Sequence, residues 1–125
     1  MYEINIREKL IIKMAKKFSC NRFSEKNTQL FADLYNSRKF SDVTLVCDDK
    51  TEFKAHKFIL SSHSSVFENI LQDGKMDCIF LQGMKKHEIE SILQFIYTGE
   101  VVILEGRTTE FKKVIDSWNI KLGER

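Results

Sequence analysis

A mixed α and β fold is predicted for this chain of 125 residues, and three observations predict it. The hydrophobic period is helical up to about Ser37, changes to alternation between Val43 and Ala55, and turns helical again from His56. Short apolar runs at Cys78 to Leu81 and Val101 to Leu104 then alternate with two further helical stretches. Proline is absent, and no repeat or low-complexity tract divides the chain, so the elements read as one compact domain joined by short turns.

The elements follow in order. Residues 4–18 place Leu10, Ile11, Met14 and Phe18 on one side and Arg7, Lys9, Lys13, Lys16 and Lys17 elsewhere, an amphipathic helical pattern. Ser24 is placed to cap a second helix to about Ser37, which groups Leu30, Phe31, Leu34 and Tyr35. Val43, Leu45 and Cys47 alternate with Thr44 and Val46, Asp48-Asp49-Lys50 supplies a turn, and Thr51, Phe53 and Ala55 alternate with Glu52 and Lys54: a β-hairpin. From His56 a short apolar helix (Phe58, Ile59, Leu60) precedes a second one that Ser64 caps, with Val66, Phe67, Ile70 and Leu71. Past Asp73-Gly74, Cys78 to Leu81 reads as a buried strand. Lys86 to Thr98 sets Ile89, Ile92, Leu93 and Ile96 at i, i+3, i+4, i+7, and Gly99 ends it as a left-handed cap. Val101 to Leu104 reads as another strand, and Thr108 opens a last helix with Phe111, Val114, Ile115 and Trp118 at helical spacing.

Composition narrows the function classes. A 14.7 kDa chain with 42% hydrophobic residues can bury one core. Its 30% charged residues carry a net charge of only +2, short of the basicity of a nucleic-acid binder. The charge is uneven: residues 1–22 hold six Lys/Arg and two acids, 6 − 2 = +4, leaving −2 for the rest. Cys20, Cys47 and Cys78 are far apart and odd in number, which signals neither a disulfide framework nor a zinc finger and fits a reducing compartment. No apolar run reaches the roughly 18 residues of a membrane span.

Ser61, Ser62, His63, Ser64 and Ser65 could suggest a nucleophile beside a base. Neighbours in a helix or its cap point in different directions, and no G-x-S-x-G elbow or glycine-rich loop presents a nucleophile, so the serines read as helix caps and breaks. Cys47, His56, His63, Cys78 and His87 show no ligand pair of closing spacing. Neither catalysis, nor a metal, nor a cofactor is expected, and His56 reads as a packed, hydrogen-bonded structural residue.

The element order, with FSDVTLVCDDKTEFKAHKFILSSHSSVFENIL and FIYTGEVVI at the matching places, resembles the BTB/POZ domain from about Ser24 to Leu122. The ordered set D-V-T-L, F-K-A-H-K, S-x-x-F and F-I-Y-T-G-E-V carries the resemblance. It implies an α+β BTB/POZ fold, a small β-sheet flanked by helical hairpins, homodimeric and without catalytic activity. The chain then divides into a basic amphipathic extension (1–23), the BTB/POZ domain (24–122) and a C-terminal end (123–125). Met14 offers an alternative start, and the extension is expected to pack on its own domain or the partner subunit.

The resemblance also assigns candidate sites. The apolar helix face of Leu30, Phe31, Leu34 and Tyr35 is the expected dimer interface, and the resemblance implies a charged pocket near it on Asp42 and Lys57, where a lysine replaces the arginine common in relatives and offers a point charge instead of a bidentate fork. Two roles compete: a dimerisation module of a nuclear transcription or chromatin regulator that recruits corepressor or chromatin proteins, and a substrate adaptor of a cullin-type ubiquitin ligase, with a cytoplasmic location as the alternative to the nucleus. Adaptors place an apolar residue two before a glutamate in the loop at Lys75 and Asp77, and this chain matches at neither. The Ser117 to Leu122 stretch, SWNIKL, favours the regulator. Direct nucleic-acid or membrane binding by the domain is not expected.

Overall fold

The computed structural model describes residues 16–122. Helix α1 (Phe23–Ser37) leads into the hairpin β1 (Val43–Val46) and β2 (Glu52–Ala55), followed by α2 (Lys57–His63), α3 (Ser65–Leu71) and β3 (Cys78–Phe80). Helix α4 (Lys86–Thr98), a 3₁₀ turn (Glu105–Arg107) and α5 (Thr108–Trp118) complete the chain. The α+β architecture is the one expected.

The sheet has the order β2-β1-β3. β1 runs antiparallel to β2, with Val43 opposite Ala55 and Val46 opposite Glu52, and parallel to β3, with Thr44 opposite Cys78. Alternation sends Val43, Leu45, Phe53 and Ala55 into the core and leaves Glu52 and Lys54 to solvent. The Asp48–Lys50 turn is held from within: Asp49 accepts from the Thr51 amide at 2.9 Å and from the Cys47 thiol at 2.8 Å, and these bonds, the thiol foremost, hold its carboxyl down to about 2. Helix α4 is the centre of the core. It buries Ile89, Ile92, Leu93, Ile96 and Tyr97, on the order of 10 kcal/mol of gross apolar burial, and packs against both α1 and α5. Gly99 ends it at φ 81°, as expected.

Several expectations are corrected. Helix α1 begins at Phe23, and its cap position is Arg22, at φ 64° without a side-chain hydrogen bond; Ser24 lies inside the first turn. Of the helix read over 4–18, residues 4–15 lie outside the described residues, while 16–18 are not helical and Phe18 is 88% exposed. Phe58 was expected among the apolar residues of α2; it is exposed, and only Ile59 and Leu60 turn inward. β3 forms, but as an edge strand, so Cys78 and Phe80 are exposed instead of buried. Val101 to Leu104 forms no strand among the described residues. It has no neighbouring strand to complete a ladder, and Val102 and Leu104 are left exposed.

Candidate interaction site

The polar cluster around the start of α2 joins three elements. His56 is buried, and every polar atom of its backbone amide and ring has a partner. Its amide donates to the Tyr97 hydroxyl at 2.9 Å, that hydroxyl lies 2.6 Å from Nδ1, and Nε2 lies 2.6 Å from the Lys39 carbonyl. A carbonyl only accepts, so Nε2 carries the proton, and Nδ1 accepts from the hydroxyl. The imidazole thus ties the loop after α1 to the C-terminal end of α4. Burial pushes the Tyr97 hydroxyl up to about 12.

The sign of that shift sets an alkaline prediction. An unfolded tyrosine ionises near about 10, so the contribution of Tyr97 is fully present below that pH and is lost as pH rises towards about 12. Urea unfolding at pH 9 and pH 11 is expected to show a steeper loss of stability in the wild type than in Tyr97→Phe. Equal losses in the two proteins contradict the assignment.

Ser64 closes the second part of the cluster. It is fully buried, caps α3 by accepting from the Phe67 amide at 3.2 Å, and donates its hydroxyl to the Trp118 carbonyl at the end of α5. The Lys121 amide donates to the His63 carbonyl at 2.8 Å, and Phe67 meets the Trp118 ring edge to face at 4.7 Å. The serines and histidines that crowd this stretch therefore fix helix ends. His63 and Ser62 bond carbonyls of their own helix, and no serine hydroxyl is paired with a histidine ring among the described residues. Nor do those residues hold a group of three or more His, Cys, Asp or Glu that could bind a metal, or a helix long and apolar enough to cross a membrane.

Asp42 and Lys57 are adjacent, but their side chains do not pair. The Asp42 carboxylate accepts from the Lys57 backbone amide at 2.8 Å, satisfying the first free N–H of α2 from outside that helix, while the Lys57 ammonium reaches the Gly74 carbonyl at 3.3 Å. Exposed aromatic side chains flank this corner in sequence: Phe40 is 85% and Phe58 73% exposed. Phe40 also has φ 65°, a strained conformation for a non-glycine residue. Sequence reasoning missed both; an exposed phenylalanine next to a charged pair carries no periodic signal of its own.

The four α1 residues divide. Phe31, Leu34 and Tyr35 are half-buried and packed against the domain's own core, Tyr35 with its ring 5.6 Å from that of Tyr97, whereas Leu30 is 50% exposed. None of the fifteen residues of α1 is fully buried. Lys75 and Asp77 sit on the exposed loop before β3, where Lys75 bonds Asp73 through its amide and the Asp77 carbonyl accepts from Thr44 at 3.0 Å.

Comparison with known proteins converges on this geometry. The family model described as the BTB/POZ domain matches residues 31–122. Longitudinals lacking protein-like from Drosophila melanogaster is 33% identical over 103 residues, covering 81% of this chain and 80% of that protein. Zinc finger protein chinmo, also from Drosophila melanogaster, is 33% identical over 105 residues. The chain spans only 17% of chinmo and 14% of Protein tramtrack, alpha isoform, to which it is 32% identical over 115 residues. Among solved structures, the BTB domain of zebrafish PATZ1 superposes with a TM-score of 0.74 at 19% identity, covering 85% of this chain and 88% of that one. From residue 31 to 122 in sequence, and in the order of its helices and strands, the chain belongs to the BTB/POZ domain family.

Proposed function

We propose that the domain, from about residue 24 to 122 and preceded by the extension 1–23, homodimerises and recruits corepressor or chromatin proteins within a nuclear transcription or chromatin regulator. The BTB/POZ domain is a protein-interaction fold and not an enzyme family. The observation that carries the dimer is the exposed apolar surface around α1: Leu30, with Phe23 64% exposed, and beyond the helix Phe40 and Phe58. A small monomer rarely leaves so much of a helix uncovered, and a two-fold interface is the commonest way to bury it. The Asp42 and Lys57 corner lies close in sequence to the exposed Phe40 and Phe58, which supports its place beside the interface. Val101 to Leu104, with Val102 93% and Leu104 65% exposed, adds a second apolar strip for another subunit. The regulator assignment is supported by the small share of chinmo and tramtrack that the chain spans, one of them a zinc finger protein. A DNA-reading unit outside these residues would supply what the domain's near-neutral charge does not.

A pull-down from nuclear extract with the domain as bait tests this reading: corepressor or chromatin proteins are expected, and their absence alongside recovered cullin would reverse it. The cullin-adaptor role is disfavoured by Lys75, an exposed ammonium where an adaptor presents an apolar anchor. Burying an unpaired charge costs several kcal/mol, enough to abolish a micromolar contact. Calorimetry against a cullin N-terminal domain is expected to show no binding below about ten micromolar, and a sub-micromolar affinity contradicts the ranking.

A further inference from the structure

The two edges of the sheet differ. On β2, Glu52 and Lys54 are exposed and the Arg38 guanidinium donates to the Lys54 carbonyl, so charged side chains guard that edge. On β3, the Asp77 carbonyl accepts from the Thr44 amide at 3.0 Å and the Leu81 amide donates to the Val46 carbonyl at 2.8 Å, so alternation turns the amides and carbonyls of Cys78 and Phe80 away from β1. Among the described residues no backbone group pairs with them. Cys78 to Leu81 carry no charge that would discourage a further strand.

This edge runs into a groove of about 390 Å³. Half-exposed Phe80 lines it with Met84 and Trp118, and its rim carries Glu88 and Glu110 against one lysine, Lys113. Glu88 accepts from the Lys85 amide at 2.8 Å, a neutral donor, and Glu110 lies 3.4 Å from the His87 ring. We propose that the β3 edge and this groove form a docking site for an extended segment of a partner protein, in which apolar residues alternate and a lysine or arginine stands beside them. Backbone pairing with Cys78 and Phe80 holds the segment as an added strand, alternate apolar side chains enter the groove, and the basic residue meets Glu88 and Glu110. Charge selects this occupant, since an acidic segment is repelled at the rim. A second copy of β3 would offer Cys78 to Leu81, which bring no cation to that rim. The site gives a surface to the partner recruitment proposed above and rests on that reading.

Random linear heptapeptides displayed on phage supply the probe, selected on the full chain with the Phe80→Asp protein as counter-selection. Phe80 is half exposed and the Lys50 ammonium, 4.9 Å from its ring, gives the new carboxylate a partner, so the variant should keep its melting temperature. The expected result is enrichment of peptides with alternating apolar residues and a lysine or arginine. In a synthesised winner, either set of alternate amides is then N-methylated. An added strand uses one set only, so methylating that set should weaken binding by more than about tenfold and methylating the other by less than about threefold. Glu110→Lys, tested separately, should abolish the preference for a basic residue without any change at Phe80. No enrichment over the counter-selection, enrichment without a basic residue, or equal effects of the two methylated sets overturns the proposal. So does a lower mass of Phe80→Asp in light scattering, which assigns the edge to a second copy of the chain. Failure here beside a successful pull-down from nuclear extract removes this site and leaves the recruitment reading standing.

Discussion

Ser64→Ala is expected to lower stability by about 2–4 kcal/mol, the largest effect of any serine hydroxyl removal among the described residues. The hydroxyl both accepts from the Phe67 amide and donates to the Trp118 carbonyl, at a position with no exposure. Loss of the cap costs about 1 kcal/mol, and a buried carbonyl left without a donor costs about 1–3 kcal/mol more. For a domain of this size the melting temperature should fall by about 10 °C or more. Ser62→Ala is the matched control: its hydroxyl bonds only the Phe58 carbonyl of its own helix on the exposed side, and a change within about 0.5 kcal/mol is expected. Differential scanning calorimetry compares the two, and equal melting temperatures would remove Ser64 from its role as the link between the α2–α3 hairpin and α5.

Leu30→Asp has the second large expected effect, on association instead of folding. Leu30 is half exposed in the single chain, so a carboxylate there is solvated in the monomer and costs little. At an apolar two-fold interface each substitution occurs twice, and each buried charge costs several kcal/mol, so dimer affinity should fall by more than about a thousandfold. Leu34→Asp is a poorer probe because Leu34 also packs on the domain's own core and its loss would confuse unfolding with dissociation. Sedimentation at about ten micromolar is expected to show Leu30→Asp as a folded monomer, and a variant that sediments like the wild type places the interface elsewhere.

What could be read without coordinates was local. The hairpin follows from alternation on both sides of Asp48-Asp49-Lys50, and α4 has the observed bounds Lys86–Thr98 because the apolar spacing lies inside it and Gly99 caps its end. The Ser64 cap was legible for the same reason. The readings that changed depend on distant partners. A strand at Val101 to Leu104 needs a neighbouring strand, which no local pattern reveals. The start of α1 is set by left-handed Arg22, where the serine two residues later had seemed the natural cap. Asp42 meets Lys57 through a backbone amide instead of the ammonium, a detail fixed by how β1 and α2 approach each other. Phe58 differs from Ile59 only in which way the first turn of α2 faces, and its exposure marks the corner where another molecule is expected.

Light scattering on the purified wild-type chain at about ten micromolar tests the central proposal, association through an uncovered apolar face, most directly. Interfaces of obligate dimers commonly bury about 2,000 Å² or more and hold at well below micromolar concentrations. The account predicts a mass twice the 14.7 kDa of the single chain; a mass of one chain at that concentration contradicts it.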